Sequence, residues 1–286
     1  MSRITIVGSG VVGRATGKGF IEHGNSVTFV DVDEVTINQL SEEGYSAVYP
    51  SDVELNGVDA VFVSVTAPTA PYGIDLSYLE QACKSLGMAI AECQTRPVVV
   101  FRCTIPPGTT RNFLIPLLEQ ASGKTPGEDF GVCYNPEYLR AYCAERDFLH
   151  PRVVTIGHDP SSPHFTRRVE AIYAPFGASV YRCAYEEAEF QKYVHNLFNA
   201  TKISFFNEMR AAAQFLGLDP ENAFGFTALS AQGMWDALYG SRADGPYGGT
   251  CLPKDVGAWL SFAQDKGLPA PLLSAVREVN RACGGN

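Results

Sequence analysis

The chain has 286 residues, of which 45% are hydrophobic and 19% are charged, and these proportions are typical of a folded globular protein. Its formal net charge of −9 disfavours a nucleic-acid or membrane-surface partner, because both present negative charge. No apolar run approaches the roughly 18 residues that span a bilayer. The first residues, MSRITIVGSG, lead directly into a predicted strand without the features of a signal peptide. We therefore expect a cytoplasmic protein.

Strand and helix patterns alternate along the first part of the chain. Apolar stretches predict strands at 4–7, 27–30, 60–65, 97–102, 131–134, 153–157 and 178–182. Helical patterns lie between several of them, for example at 76–92 and 111–119. This alternation predicts an α/β fold, with a doubly wound parallel sheet covered by helices on both faces.

From residue 185 onward the pattern is helical. One long helical stretch runs to Gly217, Pro220 begins another, and the glycine- and proline-rich loop 240–253 interrupts the helical part. We predict an α/β domain at 1–185 and an all-α domain at 186–286, which begins with a long linking helix.

Eight cysteines are spread along the chain without a CxxC pair. They are Cys83, Cys93, Cys103, Cys133, Cys143, Cys183, Cys251 and Cys283. No histidine cluster lies near them at zinc-binding spacing, so we expect no metal site. In a reducing compartment most of them should be buried thiols that pack as small hydrophobic side chains.

The first strand, the segment after it and the second strand together predict a dinucleotide site. The glycine motif GSGVVG follows the strand and opens a helix. Its candidate cofactor-binding residues are Gly8, Gly10, Val11, Val12 and Gly13. Glycines permit the tight turn and let the backbone approach a pyrophosphate at the helix N-terminus. Asp31 closes the second strand, where a carboxylate binds ribose hydroxyls and repels a 2′-phosphate. A Rossmann-like domain that binds NAD rather than NADP is therefore predicted.

Polar, proline-containing turns follow three of the predicted strands, at 64–77, 101–110 and 133–142. Ligands of parallel sheets bind outside the carboxyl ends of the strands. The long helix carries Lys192 and Asn196 four residues apart, hence on one face. These segments predict the second half of the site.

Five segments of the chain resemble the UDP-glucose/GDP-mannose dehydrogenase family. They are IVGSGVVG, CTIPPGTT, NPEYLR, EFQKYVHNLFNATKISFFNEM and GGTCLPKD, and they occur in the family's order over nearly the whole chain. The resemblance implies an NAD-binding domain followed by a central helical domain that forms a homodimer.

The resemblance also implies a four-electron oxidation of a primary alcohol on a sugar nucleotide to a carboxylate, with two NAD⁺. In such a reaction Cys251 adds to the aldehyde, the thiohemiacetal is oxidised to a thioester, and water hydrolyses the thioester. A nucleophilic cysteine needs a nearby cation or a lowered pKa, and Lys254 is the local candidate.

Roles for the remaining site residues come from the same resemblance. Lys192 is expected to stabilise the oxyanion and Asn196 to hydrogen-bond the reacting oxygen or the sugar. Asp255 and Thr104 are expected to hold the hydrolytic water, with Glu137 as the base. Further cofactor contacts are expected from Thr66, Thr104 and Lys254. Substrate contacts are expected from Tyr138, Leu139, Arg140, Lys192, Asn196, Tyr247 and Gly248.

The chain departs from the family pattern in three places. Ala67 stands where the family commonly has threonine, and Ala141 where it often has a second glutamate, which removes a hydroxyl and a carboxylate. The sequence also stops where the family's C-terminal nucleotide-binding domain would begin. This predicts either a short form or a piece of a longer protein. A short form would bind its substrate with two domains and a dimer mate. The substrate is accordingly left open among sugar nucleotides, nucleotides and nucleosides.

Two other functions are compatible with the motifs. One is a two-electron hydroxy-acid or alcohol dehydrogenase of the 6-phosphogluconate dehydrogenase type, which needs no cysteine. The other is a catalytically inactive NAD-binding partner of a longer enzyme.

Overall fold

The computed structural model describes residues 1–70, 73–241, 245–249 and 251–285. Pro71 and Tyr72 of the first polar turn and Thr250 of the cysteine motif lie outside the described residues. Contacts divide the chain into two units, Met1–Val194 and His195–Asn286. The boundary falls within one long helix, Tyr185–Phe215.

The first unit is organised around a sheet whose strands alternate with helices. In chain order the strands are β1 (Arg3–Val7), β2 (Ser26–Val30), β3 (Ser46–Val48), β4 (Ala60–Val63), β5 (Thr69–Ala70), β6 (Gly73–Ile74), β7 (Val98–Phe101), β8 (Gly131–Tyr134), β9 (Val153–Gly157) and β10 (Ser179–Cys183). Its helices are α1 (Val11–Glu22), α2 (Glu34–Glu42), α3 (Ser77–Glu92), α4 (Ile115–Ser122), α5 (Ala144–Leu149), α6 (Pro163–Tyr173) and the start of α7 (Tyr185–Phe215). The segment Thr110–Leu114 is a π-helical turn that continues into α4.

The sheet order is β10-β9-β8-β7-β4-β1-β2-β3, while β5 and β6 form a separate small hairpin. Strand β1 pairs in parallel with β2 on one side and β4 on the other. Parallel pairing continues from β4 through β7 to β8. The predicted parallel doubly wound sheet is thus confirmed for six strands. The last two run the other way, because β9 meets β8 antiparallel, with Tyr134 opposite Gly157.

Alternation along the buried strands fills a hydrophobic core on each face of this sheet. In β4, Val61 and Val63 pack on one face, whereas Ala60 and Phe62 pack on the other. Both faces are buried, so β4 is a continuous apolar run, as is usual for parallel sheets. The carboxyl ends of β1, β4, β7 and β8 lie at one edge of the sheet, and the loops that follow these strands begin there.

The second unit is helical among its described residues. It comprises the remainder of α7, then α8 (Pro220–Ser230), α9 (Gln232–Trp235), α10 (Leu252–Lys266) and α11 (Pro271–Ala282). Asp219 caps α8 by accepting the backbone N–H of Glu221. Glu208 of α7 accepts the backbone N–H of Leu272, at 2.7 Å, and that of Leu273. The buried hydrophobic cluster is small, with Ala212, Ala263 and Leu268 at its centre.

Most predicted elements are present, and three expectations need correction. Strands β3, β5 and β6 were not predicted because each is only two or three residues long. The sheet is mixed rather than wholly parallel. The cysteines are less buried than expected, since only Cys83, Cys93 and Cys133 are buried and Cys251 and Cys283 are exposed. Within the part of the chain that the structure describes, no helix is both long and apolar enough to cross a membrane.

Candidate functional site

The turn between β1 and α1 is shaped by two glycines at which a side chain would collide with the backbone. Gly8 has a φ of +86°, and a Cβ there would lie 2.8–2.9 Å from the backbone of Ser64 and Val65. A Cβ on Gly13 would lie 1.9 Å from the carbonyl oxygen of Gly8. The turn is therefore packed tightly against the segment that follows β4 and against itself.

Gly10 differs from these two glycines because a Cβ there would meet no atom of the described residues within 4 Å. It is the N-cap residue of α1, whose first turn has neither a side-chain cap nor an acidic residue. The first N–H groups of a helix carry partial positive charge and bind anions. Val11, which is exposed, and Val12 supply two of these groups. The open space over Gly10 is thus a suitable place for a pyrophosphate.

Asp31 lies at the end of β2 and is fixed by the backbone around it. Its Oδ2 accepts the N–H of Ser9 at 2.6 Å, and its Oδ1 accepts the N–H of Asp33 at 3.0 Å. The carboxylate is oriented before any ligand arrives and keeps further lone pairs for ribose hydroxyls.

A cleft of about 300 Å³ opens beside Asp31. Its lining is mainly apolar and includes Gly8, Asp31, Val32, Pro50, Val53, Val65, Tyr78, Gln81 and Ala82. An apolar cleft next to a ribose-binding carboxylate suits an adenine ring. Thr66, the other predicted cofactor contact of this edge, is exposed in the loop after β4. The glycine turn, the uncapped helix and Asp31 together fit NAD.

Lys192 and Glu137 form a pair in the first unit. Lys192 is only 3% exposed. Its Nζ donates to the backbone oxygen of Glu137 and lies 3.2 Å from Oε1 of the same residue. Glu137 follows β8, and its Oε2 accepts the N–H of Leu139 at 2.6 Å. The structure therefore brings together the predicted oxyanion-binding lysine and the predicted base.

The surroundings of Lys192 make its proton easier to release. Burial lowers the pKa of Lys192 below that of an ordinary lysine, and the neighbouring Glu137 partly offsets this shift. Charge from Arg102 adds to the lowering. Arg102 is itself buried, donates to Asn135 Oδ1 at 2.6 Å, and has an Nε with no hydrogen-bond partner among the described residues. The charge of a second buried cation, Arg102, thus helps to lower the pKa of Lys192.

The three residues after Glu137 are fixed by contacts within the first unit. The ring of Tyr138 lies beneath the Lys192 ammonium, with Nζ 5.3 Å from its centre, and its hydroxyl bonds to Thr155 and Gln191. Leu139 packs against the core. The Arg140 guanidinium makes a two-point contact with Asp147 and keeps the pKa of that carboxyl well below its usual range.

Thr104 lies in the loop that links β7 to the π-helical turn, and it is half-buried. Tyr134 of β8 donates its hydroxyl to the carbonyl oxygen of the neighbouring Cys103, at 3.0 Å. Thr109 closes the same loop by donating to Pro106 O at 2.6 Å. The loop after β7 is thus fixed at the edge of the sheet where the glycine turn also lies.

The remaining predicted residues belong to the second unit and are more accessible. Cys251 is exposed and is the N-cap residue of α10, where its carbonyl oxygen accepts the N–H of Asp255 at 2.9 Å. Lys254 Nζ lies 2.8 Å from Asp255 Oδ1, and both side chains are about two-thirds exposed. Asn196 and Gly248 are exposed, and Tyr247 is half-buried. Cys251, Lys254 and Asp255 therefore share the first turn of α10, whose positive end stabilises negative charge.

Several candidate residues were not predicted from the sequence. Val32, Pro50 and Val53 line the cofactor cleft. Val32 follows the predicted strand β2, so the strand-end rule contained its signal, whereas Pro50 follows β3, which was not predicted. Arg102 and Glu189 are buried polar residues. Nothing local in the sequence distinguishes them from surface charges, because their burial depends on partners far along the chain.

Both parts of the chain match one known protein family. Residues 45–177 match the NAD-binding domain of the UDP-glucose/GDP-mannose dehydrogenase family, and residues 186–282 match its central domain. In an alignment of 302 positions, the chain is 33% identical to a GDP-mannose 6-dehydrogenase from Azotobacter vinelandii, with 98% of this chain and 68% of that protein covered. It is 31% identical to a UDP-glucose 6-dehydrogenase from Haloferax volcanii, with 97% and 69% covered.

A solved structure shares the fold of this chain. The ternary complex of GDP-mannose dehydrogenase from Pseudomonas aeruginosa is 32% identical and superimposes with a TM-score of 0.91, covering 98% of this chain and 69% of that one. Since both family domains match and the described residues contain the cofactor turn, this chain belongs to the UDP-glucose/GDP-mannose dehydrogenase family and is an NAD-dependent oxidoreductase.

Proposed function

We propose that the protein oxidises the primary alcohol of a nucleotide sugar to a carboxylate, in a four-electron reaction with Cys251 as nucleophile. The observation that carries the proposal is the match of 98% of the chain, across both units, to a GDP-mannose 6-dehydrogenase. Cys251 at the N-cap of α10 and the buried Lys192–Glu137 pair support it.

NAD⁺, held by the turn Gly8–Gly13 and by Asp31, would accept the hydride in both oxidations. In the first of them the alcohol carbon loses a hydride and the alcohol oxygen loses its proton to solvent water. Lys192 prepares the alcohol for this step. Its buried ammonium stabilises negative charge on the substrate oxygen, because a cation out of water interacts more strongly than an exposed one. Asn196 supplies a further donor to the same oxygen or to the sugar.

Cys251 serves the second oxidation. Its sulfur forms a bond to the aldehyde carbon, and the carbonyl oxygen takes up a proton, which gives a thiohemiacetal. Loss of a hydride and that proton gives a thioester. The positive end of α10 stabilises the sulfur while it carries negative charge.

Hydrolysis releases the acid and restores the thiol. Glu137 takes a proton from water, the water oxygen bonds to the thioester carbon, and the carbon–sulfur bond breaks as Cys251 regains a proton. Thr104 and Asp255 orient the water. For each alcohol oxidised to a carboxylate, the reaction consumes one water and two NAD⁺ and forms two NADH and three protons.

The first substrates to test follow from the relatives. The proteins that match over nearly the whole chain act on GDP-mannose or UDP-glucose according to their names. We propose GDP-mannose as the leading candidate, followed by UDP-glucose, other nucleotides and nucleosides. Tyr247 and Gly248, with Tyr138, Leu139 and Arg140, are the proposed substrate contacts.

We also propose a homodimer that forms through the helices of the second unit. Large apolar side chains of α7 and α8 are exposed there, including Leu197, Phe198, Ile203, Phe226 and Leu229. A cluster of several exposed large apolar side chains is usually covered by a partner. Light scattering after size exclusion should give twice the mass of the chain, and Phe198→Glu should give monomer. A wild-type monomer at micromolar concentration would contradict the dimer.

The proposed reaction is tested by its stoichiometry. Purified protein is mixed with NAD⁺ and each member of the substrate panel, and NADH and product are quantified together. Two NADH per molecule of acid, without free aldehyde, supports the proposal. One NADH with a free carbonyl product would instead establish the two-electron dehydrogenase. Intact NAD binding with no turnover on the whole panel would favour the inactive partner.

A further inference from the structure

Glu189 of α7 is a buried carboxylate to which the proposed chemistry assigns no role. Its residue exposure is 0%. Its Oε2 accepts the N–H of Gly108 at 2.5 Å, and its Oε1 accepts the N–H of Thr110 at 2.7 Å. Among the described residues, no lysine or arginine forms an ion pair with it. Backbone N–H groups therefore hold this charge, since those at the start of a helix lack intrahelical partners.

Both N–H groups belong to the end of the loop that carries Thr104. The loop follows β7, which lies beside β4 in the sheet, and β4 lies beside β1 with its glycine turn. Tyr134 fixes the beginning of this loop through Cys103 O. Glu189 fixes its end. The loop is thus held at both ends. Tyr134 belongs to the sheet, whereas Glu189 belongs to helix α7.

The neighbouring loop is held by the same part of α7. Lys192, three residues after Glu189 and therefore on the same side of the helix, donates to Glu137 in the loop after β8. One turn of α7 thus presents an acceptor to the loop after β7 and a donor to the loop after β8. The spacing of these two loops is set by a rigid element rather than by the loops themselves.

We propose that Glu189 is a positioning residue that fixes the loop of Thr104 against the helical turn that carries Lys192. The inference rests on the proposed alcohol oxidation, in which Thr104 and Lys192 act on the same substrate. Burial raises the pKa of Glu189, and the hydrogen bonds from Thr110 and Gly108 oppose that shift, as expected of a carboxylate retained for its contacts. Displacement of a reacting group by about 1 Å can cost about 100-fold in rate.

The test compares Glu189→Gln with Glu186→Gln. The glutamine keeps the shape of the side chain but presents an NH₂ group to one of the two N–H donors. Glu186 lies one turn earlier and pairs, at 2.6 Å, with the side chain of Arg111 in the π-helical turn. Glu186→Gln therefore removes a carboxylate that contacts the same segment but leaves the backbone contacts of Glu189 in place.

Native-state amide hydrogen exchange gives a readout that does not require turnover. In Glu189→Gln we expect exchange at Gly108 and Thr110 to accelerate about 10-fold or more, with the amides of β7 unchanged. Kinetically, kcat should fall about 10-fold or more while the KM for NAD⁺ changes less than about 3-fold. Glu186→Gln should leave all of these values near wild type.

A merely structural role predicts a different result. Faster exchange throughout the unit, a lower melting temperature and an unchanged kcat would overturn the proposal, as would unchanged exchange at Gly108 and Thr110. If the wild type turns over no substrate, the proposed function fails, but the exchange at these two amides still decides whether Glu189 holds the loop. If Glu189→Gln does not fold, Glu189→Asp replaces it. Aspartate keeps both acceptor oxygens but is one methylene shorter, so they lie further from the N–H groups of Gly108 and Thr110. The same exchange and kinetic measurements then apply, with smaller expected changes.

Discussion

The two units differ in how they hold their chemical groups. In the first, Lys192 and Glu189 are buried and their polar atoms are hydrogen-bonded to loops at the edge of the sheet. In the second, Asn196, Cys251 and Asp255 are exposed. The first unit therefore sets the positions of its site residues by its own packing. The second presents its site residues at the surface, and by our proposal substrate or a second copy of the chain completes their environment.

Helix α7 shows the same contrast within one element. Glu189 accepts N–H groups at the start of the segment that leads into α4, and Glu208 accepts those at the start of α11. Each carboxylate ties α7 to another helix of its own unit. Only Glu189 is fully buried and lies in the turn that also carries a proposed catalytic residue. The capping by Glu208 thus stabilises the second unit, whereas by our proposal the capping by Glu189 also positions the loop of Thr104 in the first.

The largest effect is expected at the exposed cysteine. Cys251→Ser should lower steady-state formation of the acid at least about 10³-fold, because the hydroxyl is a far weaker nucleophile than a thiolate. Its melting temperature should stay near that of wild type, since the side chain is exposed. Cys283→Ser, which changes another exposed cysteine, is the control and should retain full activity. Comparable loss in both variants, or none in either, would remove Cys251 from the mechanism.

Lys192→Met should lose both activity and stability. The variant leaves Glu137 without its cation and should cost about 3 kcal/mol in unfolding free energy as well as about 100-fold or more in kcat. Asn196→Ala, on an exposed position of the same helix, should change stability by less than about 0.5 kcal/mol while still lowering activity. Urea denaturation and initial rates measure the two quantities. Equal stability of the two variants would contradict the contrast between buried and exposed site residues.

The glycine turn allows cofactor binding to be separated from folding. Gly13→Ala places a methyl group 1.9 Å from Gly8 O and should destabilise the unit by about 1–3 kcal/mol or more. The methyl group of Gly10→Ala meets no atom in the part of the chain that the structure describes, so the melting temperature should stay unchanged. It should nevertheless weaken NAD binding by about 10-fold or more, because the methyl group enters the space for the pyrophosphate. Calorimetric titration with NAD⁺ checks this, and wild-type affinity in Gly10→Ala would place the pyrophosphate elsewhere.

The pH dependence of stability tests the burial of Lys192. Its folded-state pKa is lowered, so between that value and the ordinary value for lysine the unfolded chain binds more protons than the folded one. Stability of wild type relative to Lys192→Met should therefore rise as pH increases through this alkaline window. Urea midpoints of both proteins at a series of alkaline pH values measure the difference. A constant difference would show that Lys192 titrates as a solvent-exposed lysine.

The smallest effect is expected at the exposed ion pair of α10. Lys254→Ala removes a contact between side chains that are about two-thirds exposed and should change stability by less than about 0.5 kcal/mol. If Lys254 contacts the cofactor, as the family resemblance implies, the KM for NAD⁺ should rise a few-fold, and the rise should diminish at high salt because screening weakens exposed charges. An unchanged KM at low salt would restrict Lys254 to its pairing with Asp255.

The sequence by itself determined the features that depend on local spacing and composition. The glycine pattern followed by Asp31 predicted the dinucleotide turn, because a tight turn before a helix needs glycine at fixed positions. The long apolar and helical pattern predicted α7 up to Gly217, where the chain adopts a left-handed conformation with φ of +70°. The motif around Cys251, together with the order of the other segments, identified the family.

The tertiary structure decided which charged residues are buried and what they contact. Glu189 is 79 residues from Thr110, and Lys192 is 55 residues from Glu137, so neither pairing has a local signature. The antiparallel meeting of β8 and β9 is likewise a single long-range pair, Tyr134 with Gly157. Arg102 looks like an ordinary strand-end charge until β7 and β8 bring it to Asn135. Such contacts form only when the sheet assembles, because burial and partner choice depend on distant segments rather than on local propensity.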